Sequence, residues 1–196
     1  MNPPFDRLLA DVLACRHCEA LLPEAPRPVL QCHPDARLLI AGQAPGRKAH
    51  AAGKPFADAS GDRLRDWLGL DEETFYNPRR VATLPMGFCY PGSGRAGDLP
   101  PRPECAPRWR AALLDALPAV RMTLVIGQYA LRWHLPGSGS VSEAVGNWRA
   151  YWPRPAPLPH PSPRNQLWLR RHPWFETDLL PALRAEVARL MEDPAA

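Results

Sequence analysis

Lysine is nearly absent from this 196-residue chain. Of 24 Lys and Arg residues only Lys48 and Lys54 are lysines, so the formal charge of +4 is carried almost wholly by arginine. Guanidinium forks suit phosphate contacts, and a mildly basic surface fits a polyanionic partner. A bias in the coding DNA would give the same residues. Long apolar runs are missing as well: no stretch is long enough to span a bilayer. Met1–Leu9 has neither a basic leader nor an apolar signal core. No membrane association and a cytoplasmic location are therefore expected. In that compartment five cysteines point to metal ligands or free thiols rather than disulfides. Repeats, low-complexity tracts and linkers are lacking, so residues 1–196 are expected to form a single domain, large enough to bury a core. The chain has no P-loop signature, which argues against an enzyme of free nucleotides.

What the chain has in excess is proline, 26 residues of it, implying stiff loops around a compact centre. Asn2 followed by Pro3 and Pro4 starts a helix, with Phe5, Leu8, Leu9, Val12 and Leu13 at helical spacing. Residues 23–34 read as loop and 36–41 as a central strand. Ser60 is expected to cap a helix through Leu68. Residues 81–86 form a second strand interrupted by Pro85. Pro107 opens a further helix carrying Trp109, Leu113, Leu114 and Leu117. Residues 123–127 make a third strand that turns into a short helix, and 141–148 another helix. Residues 156–158 form the last strand, and Leu179, Leu180, Leu183, Val187 and Leu190 mark a closing helix. Strands alternating with helices predict one three-layer α/β/α domain with a central, mostly parallel four-stranded sheet. The glycine- and proline-rich stretch 91–103 is too long for an idle connection.

Two stretches carry chemistry. Leu38-Leu39-Ile40-Ala41-Gly42-Gln43-Ala44-Pro45-Gly46 is a short apolar run ending in a tight turn. It reads as a buried parallel strand delivering a loop at its C-terminal end, the edge where open α/β sheets bind ligands. Pro157-Leu158-Pro159-His160-Pro161-Ser162-Pro163-Arg164-Asn165 is too proline-rich for a helix or a central strand. It holds His160 on a stiff loop at that same edge. Such a loop suits a catalytic imidazole, and it also describes a plain structural corner. Cys15 and Cys18 form a C-x2-C pair; Cys89 follows after 70 residues (19–88) and Cys105 after 15 more (90–104). By spacing alone these four suit a [4Fe–4S] cluster, structural zinc or buried free thiols. Cys32 has no partner in the pattern.

The Gly-Gln-Ala-Pro-Gly and His-Pro-Ser-Pro segments, in this order, resemble the two signature motifs of the uracil-DNA glycosylase superfamily. Gly53-Lys54-Pro55-Phe56 and the cysteine spacing resemble its iron–sulfur branch. The resemblance runs from about Cys15 to the last helix. It implies DNA as partner, a monomer, and a structural [4Fe–4S] cluster on Cys15, Cys18, Cys89 and Cys105, with zinc the alternative. It further implies that His160 and Gln43 are the catalytic positions, His160 donating to the departing base, and that Phe56 stacks on that base. Gly42, Ala44 and Gly46 would admit base and sugar–phosphate, Ser162 and Arg164 would pinch the phosphates, and Arg164, Asn165 or Leu167 would lie near the gap left in the duplex. The residues alone leave Phe56 open as core, Arg164 as a solvated surface charge, and Gly42 and Gly46 as mere turns.

Two positions depart from the family's pattern. The first motif usually holds an acidic residue or asparagine, and here Gln43 and Ala44 supply no carboxylate, although Asp58 and Asp62 follow. Pro85 stands where the iron–sulfur branch carries the asparagine that reads the uracil edge. The expected function is a DNA-repair glycosylase for uracil or another altered base; the alternative is a DNA-binding or damage-sensing protein with little turnover.

Overall fold

A computed structural model of the chain describes residues 3–95 and 97–192. The elements in order are α1 (Pro3–Leu13), β1 (Leu38–Ala41), α2 (Arg47–Ala52), α3 (Ala59–Leu68), α4 (Glu72–Phe75), β2 (Val81–Thr83), β3 (Ser93–Gly94), β4 (Gly97–Asp98), α5 (Cys105–Asp115), β5 (Met122–Ile126), α6 (Gly127–His134), α7 (Val141–Gly146), β6 (Ala156–Leu158), α8 (Gln166–Arg171) and α9 (Leu180–Glu192). The main sheet has the order β2-β1-β5-β6. All its pairings are parallel, with Leu38 beside both Val81 and Met122, and Ile126 beside Leu158. The three-layer α/β/α expectation holds, and "mostly parallel" becomes wholly parallel in that sheet.

Every strand residue of the main sheet is buried, as a parallel sheet covered on both faces requires. Alternation then divides the core. Leu38, Ile40, Leu124 and Ile126 face α3 and α9 through Leu64, Trp67, Leu183 and Val187. Leu39, Ala82 and Leu84 face α1 and α5 through Phe5, Val12 and Leu113.

Several boundaries differ from the sequence reading. The first strand begins at Leu38, not at residue 36. The second ends at Thr83, although its path continues: Leu84 N–H donates to Ile40 O (2.9 Å) and Met86 N–H to Gly42 O (2.8 Å). Alternate residues donate to β1 along this ladder, so the position of Pro85, lying between two donors, is one where no N–H toward β1 is lost. α3 is capped by Asp58, whose side chain accepts from Ser60 N and Gly61 N, and not by Ser60. α5 opens at Cys105, two residues before Pro107, which occupies its first turn. The helix at 141–148 stops at Gly146 and is followed by a 3-10 turn at Trp148–Ala150. Leu179 falls in a π-turn, Phe175–Leu179, ahead of α9. In α1, Phe5 and Val12 are buried while Leu13 is 49% exposed. The expected cap at Asn2 lies outside the described residues. Stretch 91–103 contains the antiparallel β3–β4 ribbon.

One feature of the core has no sequence signature. Arg110 of α5 is fully buried. It donates to Leu84 O (2.8 Å), Pro85 O (3.2 Å) and His134 Nε2 (2.6 Å), and no hydrogen-bond partner meets its Nε. Burial pulls Arg110 down to about 10. Burial, and then the neighbouring guanidinium, push His134 down to about 4. His134 is thus held neutral as an acceptor.

Between its unfolded value of about 6.5 and its folded value of about 4, His134 takes up a proton only in the unfolded chain. Its contribution is complete above about pH 6.5 and is lost as pH falls towards about 4, on the order of 3 kcal/mol. Urea denaturation at the two ends of this window should show that loss. In His134→Gln, which keeps an acceptor for Arg110 but cannot titrate, the acid sensitivity should be smaller by about that amount.

Candidate active site

Parallel pairing brings the loops after β1 and β6 out at one edge of the sheet. They open there into a cavity of about 660 Å³, within the size range of small-molecule sites. Gly42 to Gly46 form one wall, Phe56 and Asp58 a second, His160, Ser162, Arg164 and Asn165 a third, and the β3–β4 ribbon a fourth. Thr83, Pro85 and Ile126 lie among the remaining lining residues.

His160 is locked by its own loop. Its Nδ1 accepts from Ser162 N–H (3.1 Å), and Asn165 Nδ2 donates to His160 O (2.7 Å). Because Nδ1 is an acceptor, the proton of the neutral ring resides on Nε2. Burial lowers the pKa of His160, against the opposing pull of Asp58 and Asp98. The neutral ring is therefore a hydrogen-bond donor at neutral pH. Ser162 caps the 3-10 turn at Pro163–Asn165 by accepting from Arg164 N–H (3.2 Å). From α3, Arg63 donates to Ser162 O (3.1 Å) and Gln166 Oε1 (3.3 Å), tying this loop to the opposite wall.

Phe56 holds a left-handed backbone at φ 53°, the one non-glycine positive φ among the described residues. Such strain is costly for an aromatic residue and persists only where its surroundings enforce it. Its carbonyl accepts from Tyr76 Oη (3.2 Å), its ring meets Phe75 edge-on, and its Cζ would stand 3.8 Å from a Cβ on Gly42. Gly61 leaves room for that backbone: a Cβ there would lie 1.8 Å from Phe56 O. The ring lines the cavity beside the bare Gly42.

Gln43 does not direct its amide nitrogen at a substrate. Its Nε2 donates to Leu99 O (2.9 Å) and Asp98 O (3.5 Å), anchoring the β3–β4 ribbon to the first motif loop. With that donor engaged by two backbone carbonyls, the Gln43 side chain ties the ribbon to the motif loop. Asp58 and Asp98 bring to the cavity the carboxylates that the motif loop lacks. Asp58 was noted in the sequence only as following the motif, and Asp98 had no local signal because a long loop returns it. Pro85 lines the cavity without a side-chain hydrogen bond, and its carbonyl is held by Arg110.

A second, apolar pocket on the α1 and α5 side shares no lining residue with the first and is lined by Cys15, Cys18, Cys89 and Cys105 together. Burial pushes Cys89 up to about 11 and Cys105 up to about 12, and raises Cys18. Two backbone amides point at sulfur: Phe88 N–H at Cys105 Sγ (3.4 Å) and that of Arg27 at Cys89. Among the described residues, no three His, Cys, Asp or Glu side chains converge on a single point suited to one metal ion. Cys32 is buried in the core cluster against α1 and α5, which Cys105 also touches, and does not line that pocket.

Residues 30–184 match the profile of the Uracil DNA glycosylase superfamily. The match runs from just before the first motif strand into α9 and covers the whole main sheet and both motif loops, and the chain belongs to that superfamily.

The fit of Gly61 beneath Phe56 sets a test. Gly61→Ala forces the Phe56 backbone to shift and should destabilise the protein by about 2 kcal/mol, in the range of overpacked cores. Thermal denaturation measures the cost, and the same variant should bind base-modified DNA more weakly as Phe56 leaves its place.

Proposed function

We propose that this chain is a DNA-repair glycosylase that hydrolyses the N-glycosidic bond of uracil or another deaminated base. The observation carrying this reading is His160, a neutral imidazole whose Nδ1 is occupied by Ser162 N–H, lining the same cavity as the strained Phe56. An extruded nucleotide needs a face to stack on and a donor for its leaving base. Phe56 supplies the first. His160 Nε2–H supplies the second, since the C1′–N electron pair departs onto the base and its carbonyl oxygen gains charge. A preorganised donor at a developing oxyanion is the largest single lever available to the protein. Backbone groups of Gly42, Ala44 and Gly46 allow close approach, and Arg164 is exposed at the cavity rim, suited to phosphate.

Pro85 bears on substrate choice. A wall that hydrogen-bonds its ligand rejects analogues far more strongly than an apolar wall does. With proline at this position, discrimination falls to His160 and to the polar Ser60 and Thr83 that also line the cavity. This favours a range of deaminated bases over uracil alone.

The four cysteines are assigned to a structural [4Fe–4S] cluster, placing the chain with the iron–sulfur branch. What supports this is the donor set: four cysteines around one pocket, two of them receiving backbone N–H groups, which favour thiolates over thiols. Sulfurs that ring a pocket suit a four-cornered cluster better than one zinc ion. The cluster would supply cross-linking between α1, α5 and the segment at Cys89. Anaerobically purified protein should be brown, with absorption near about 400 nm from thiolate–iron charge transfer. Cys15→Ser or Cys105→Ser should lose that band; zinc, or no metal, by elemental analysis would overturn the cluster.

The activity is tested by alkali-revealed strand breaks over duplexes and single strands carrying uracil, hypoxanthine or xanthine. At least one should be cleaved, and His160→Ala should slow its single-turnover cleavage by about 100- to 1000-fold with DNA affinity nearly unchanged. Binding to these DNAs without cleavage would favour the damage-sensing alternative.

A further inference from the structure

We propose that Asp98 is the carboxylate that orients and deprotonates the hydrolytic water, an inference that rests on the glycosylase reading above. The first motif loop cannot do this itself: Ala44 has no polar side chain, and Gln43 is a neutral amide already donating to Leu99 O and Asp98 O. The loop spends its polar side chain on holding the strand that carries a carboxylate.

That carboxylate is held in a defined orientation. Asp98 Oδ1 accepts from Ser93 Oγ (2.8 Å), which lies 2.7 Å from Tyr90 Oη, and Tyr90 is buried. Asp98 is exposed at the cavity, with its Oδ2 3.1 Å from where a Cβ of Gly46 would stand. Asp58 Oδ2 lies 4.0 Å from the same point, so both carboxylates close on one glycine of the motif loop. Both also favour the charged form of His160, which places them in the electrostatic reach of the imidazole. Two cations lie close to β4: Arg95, which also lines the cavity, and Arg164, whose Nη1 would lie 2.9 Å from a Cβ on Gly97.

Of the two carboxylates Asp58 already has a structural task, with Oδ1 engaged by Ser60 N (2.9 Å) and Gly61 N (3.1 Å) at the start of α3. Asp98 caps no helix. Its surroundings, Gln43, Ser93 and Tyr90, act only to fix the ribbon and aim the side chain. His160 and Asp98 line one cavity from different segments of the chain, donor and carboxylate within electrostatic reach of each other.

The step balances without any further reactant. The C1′–N bond breaks and its electron pair leaves on the base, hydrogen-bonded by His160 Nε2–H. The water oxygen forms the new bond to C1′ as its proton passes to Asp98, and from there to solvent or the departing base. The products are free base and an abasic site. Before the water adds, the anionic carboxylate also favours the positive charge that builds on the sugar.

The test is single-turnover cleavage of labelled single-stranded oligonucleotides, one carrying a uracil and one a hypoxanthine, with binding followed by fluorescence anisotropy. Asp98→Asn should reduce the rate by about 100-fold or more, the usual worth of general base catalysis, with affinity changed by less than about threefold. Asp98→Glu should recover part of the loss. Asp58→Asn keeps an oxygen for Ser60 N and Gly61 N and should cost less than about tenfold. Gln43→Glu should lower the rate too, because a carboxylate cannot donate to the Leu99 and Asp98 carbonyls. Asp98→Asn cleaving like wild type, or Asp58→Asn being the more damaging, overturns the assignment to Asp98 and leaves the glycosylase reading intact. Wild type cleaving none of the uracil, hypoxanthine and xanthine substrates, single-stranded or duplex, overturns both.

Discussion

Parallel pairing of Leu38–Ala41 with Met122–Val125 is the constraint on which the rest depends. Parallel strands need crossovers, so every strand of the main sheet ends at the same edge, and the loops after β1 and β6 must emerge together. The register does the rest. Ala41 lies beside Val125 and Ile126 beside Leu158, so Gly42 leaves the sheet close to where His160 follows two residues beyond β6. An antiparallel arrangement of the same segments would send one of the two loops to the opposite end. Complete burial of these strands makes the register hard to slip, since a shift by one residue would exchange the two faces of the core.

A second layer of organisation lies in the segment from Pro85 to Cys105. It begins at the cavity wall with Pro85, passes the cysteine pocket at Gly87 to Cys89, returns to the cavity as the β3–β4 ribbon, and ends in the cysteine pocket at Cys105. Each return has its own tie: Arg110 at the Pro85 carbonyl and Gln43 at the ribbon. The ribbon has two residues per strand, far too few to be stable alone. Its position therefore comes from these ties and from Leu99 N–H donating to Gly92 O (2.8 Å). Any staple through the four cysteines would fix both ends of this excursion and so hold the cavity's outer wall without touching the reacting atoms.

The sequence made legible whatever is encoded locally. Apolar runs bounded by glycine and proline located the strand cores; the two motif segments brought His160 and the glycines to the cavity, and the Gly53–Phe56 segment brought Phe56. The boundaries that shifted were set by partners far away in the chain. Thr83 closes β2 where it meets Gln31 on its outer side, and Ser60 looked like a cap until the backbone placed Asp58 there. Asp98 and Arg110 were illegible for the same reason. An aspartate in a glycine-rich loop and an arginine on an amphipathic helix both read as solvated; tertiary structure buries Arg110 and brings the exposed Asp98 to the cavity. Gln43 is the instructive case: its position in the motif was right, and its chemistry depended on a strand more than fifty residues later.

The costs in this fold gather around the cavity. Phe56 is held at φ 53°, Arg110 is a buried cation whose side chain meets carbonyls and an imidazole, and His134 must remain neutral to accept from it. Each would be relieved by a simple substitution in a chain selected for stability alone, since burying a charge without a counter-ion is among the costlier choices open to a core. Their shared property is position: Phe56 forms one wall, and Arg110 grips the Pro85 carbonyl behind another. Local rules broken at one place and obeyed elsewhere are the pattern expected of a site whose geometry matters more than its stability. The strained Phe56 and the buried Arg110 fix backbone at two parts of the cavity lining, where a shift of the chain would change its shape.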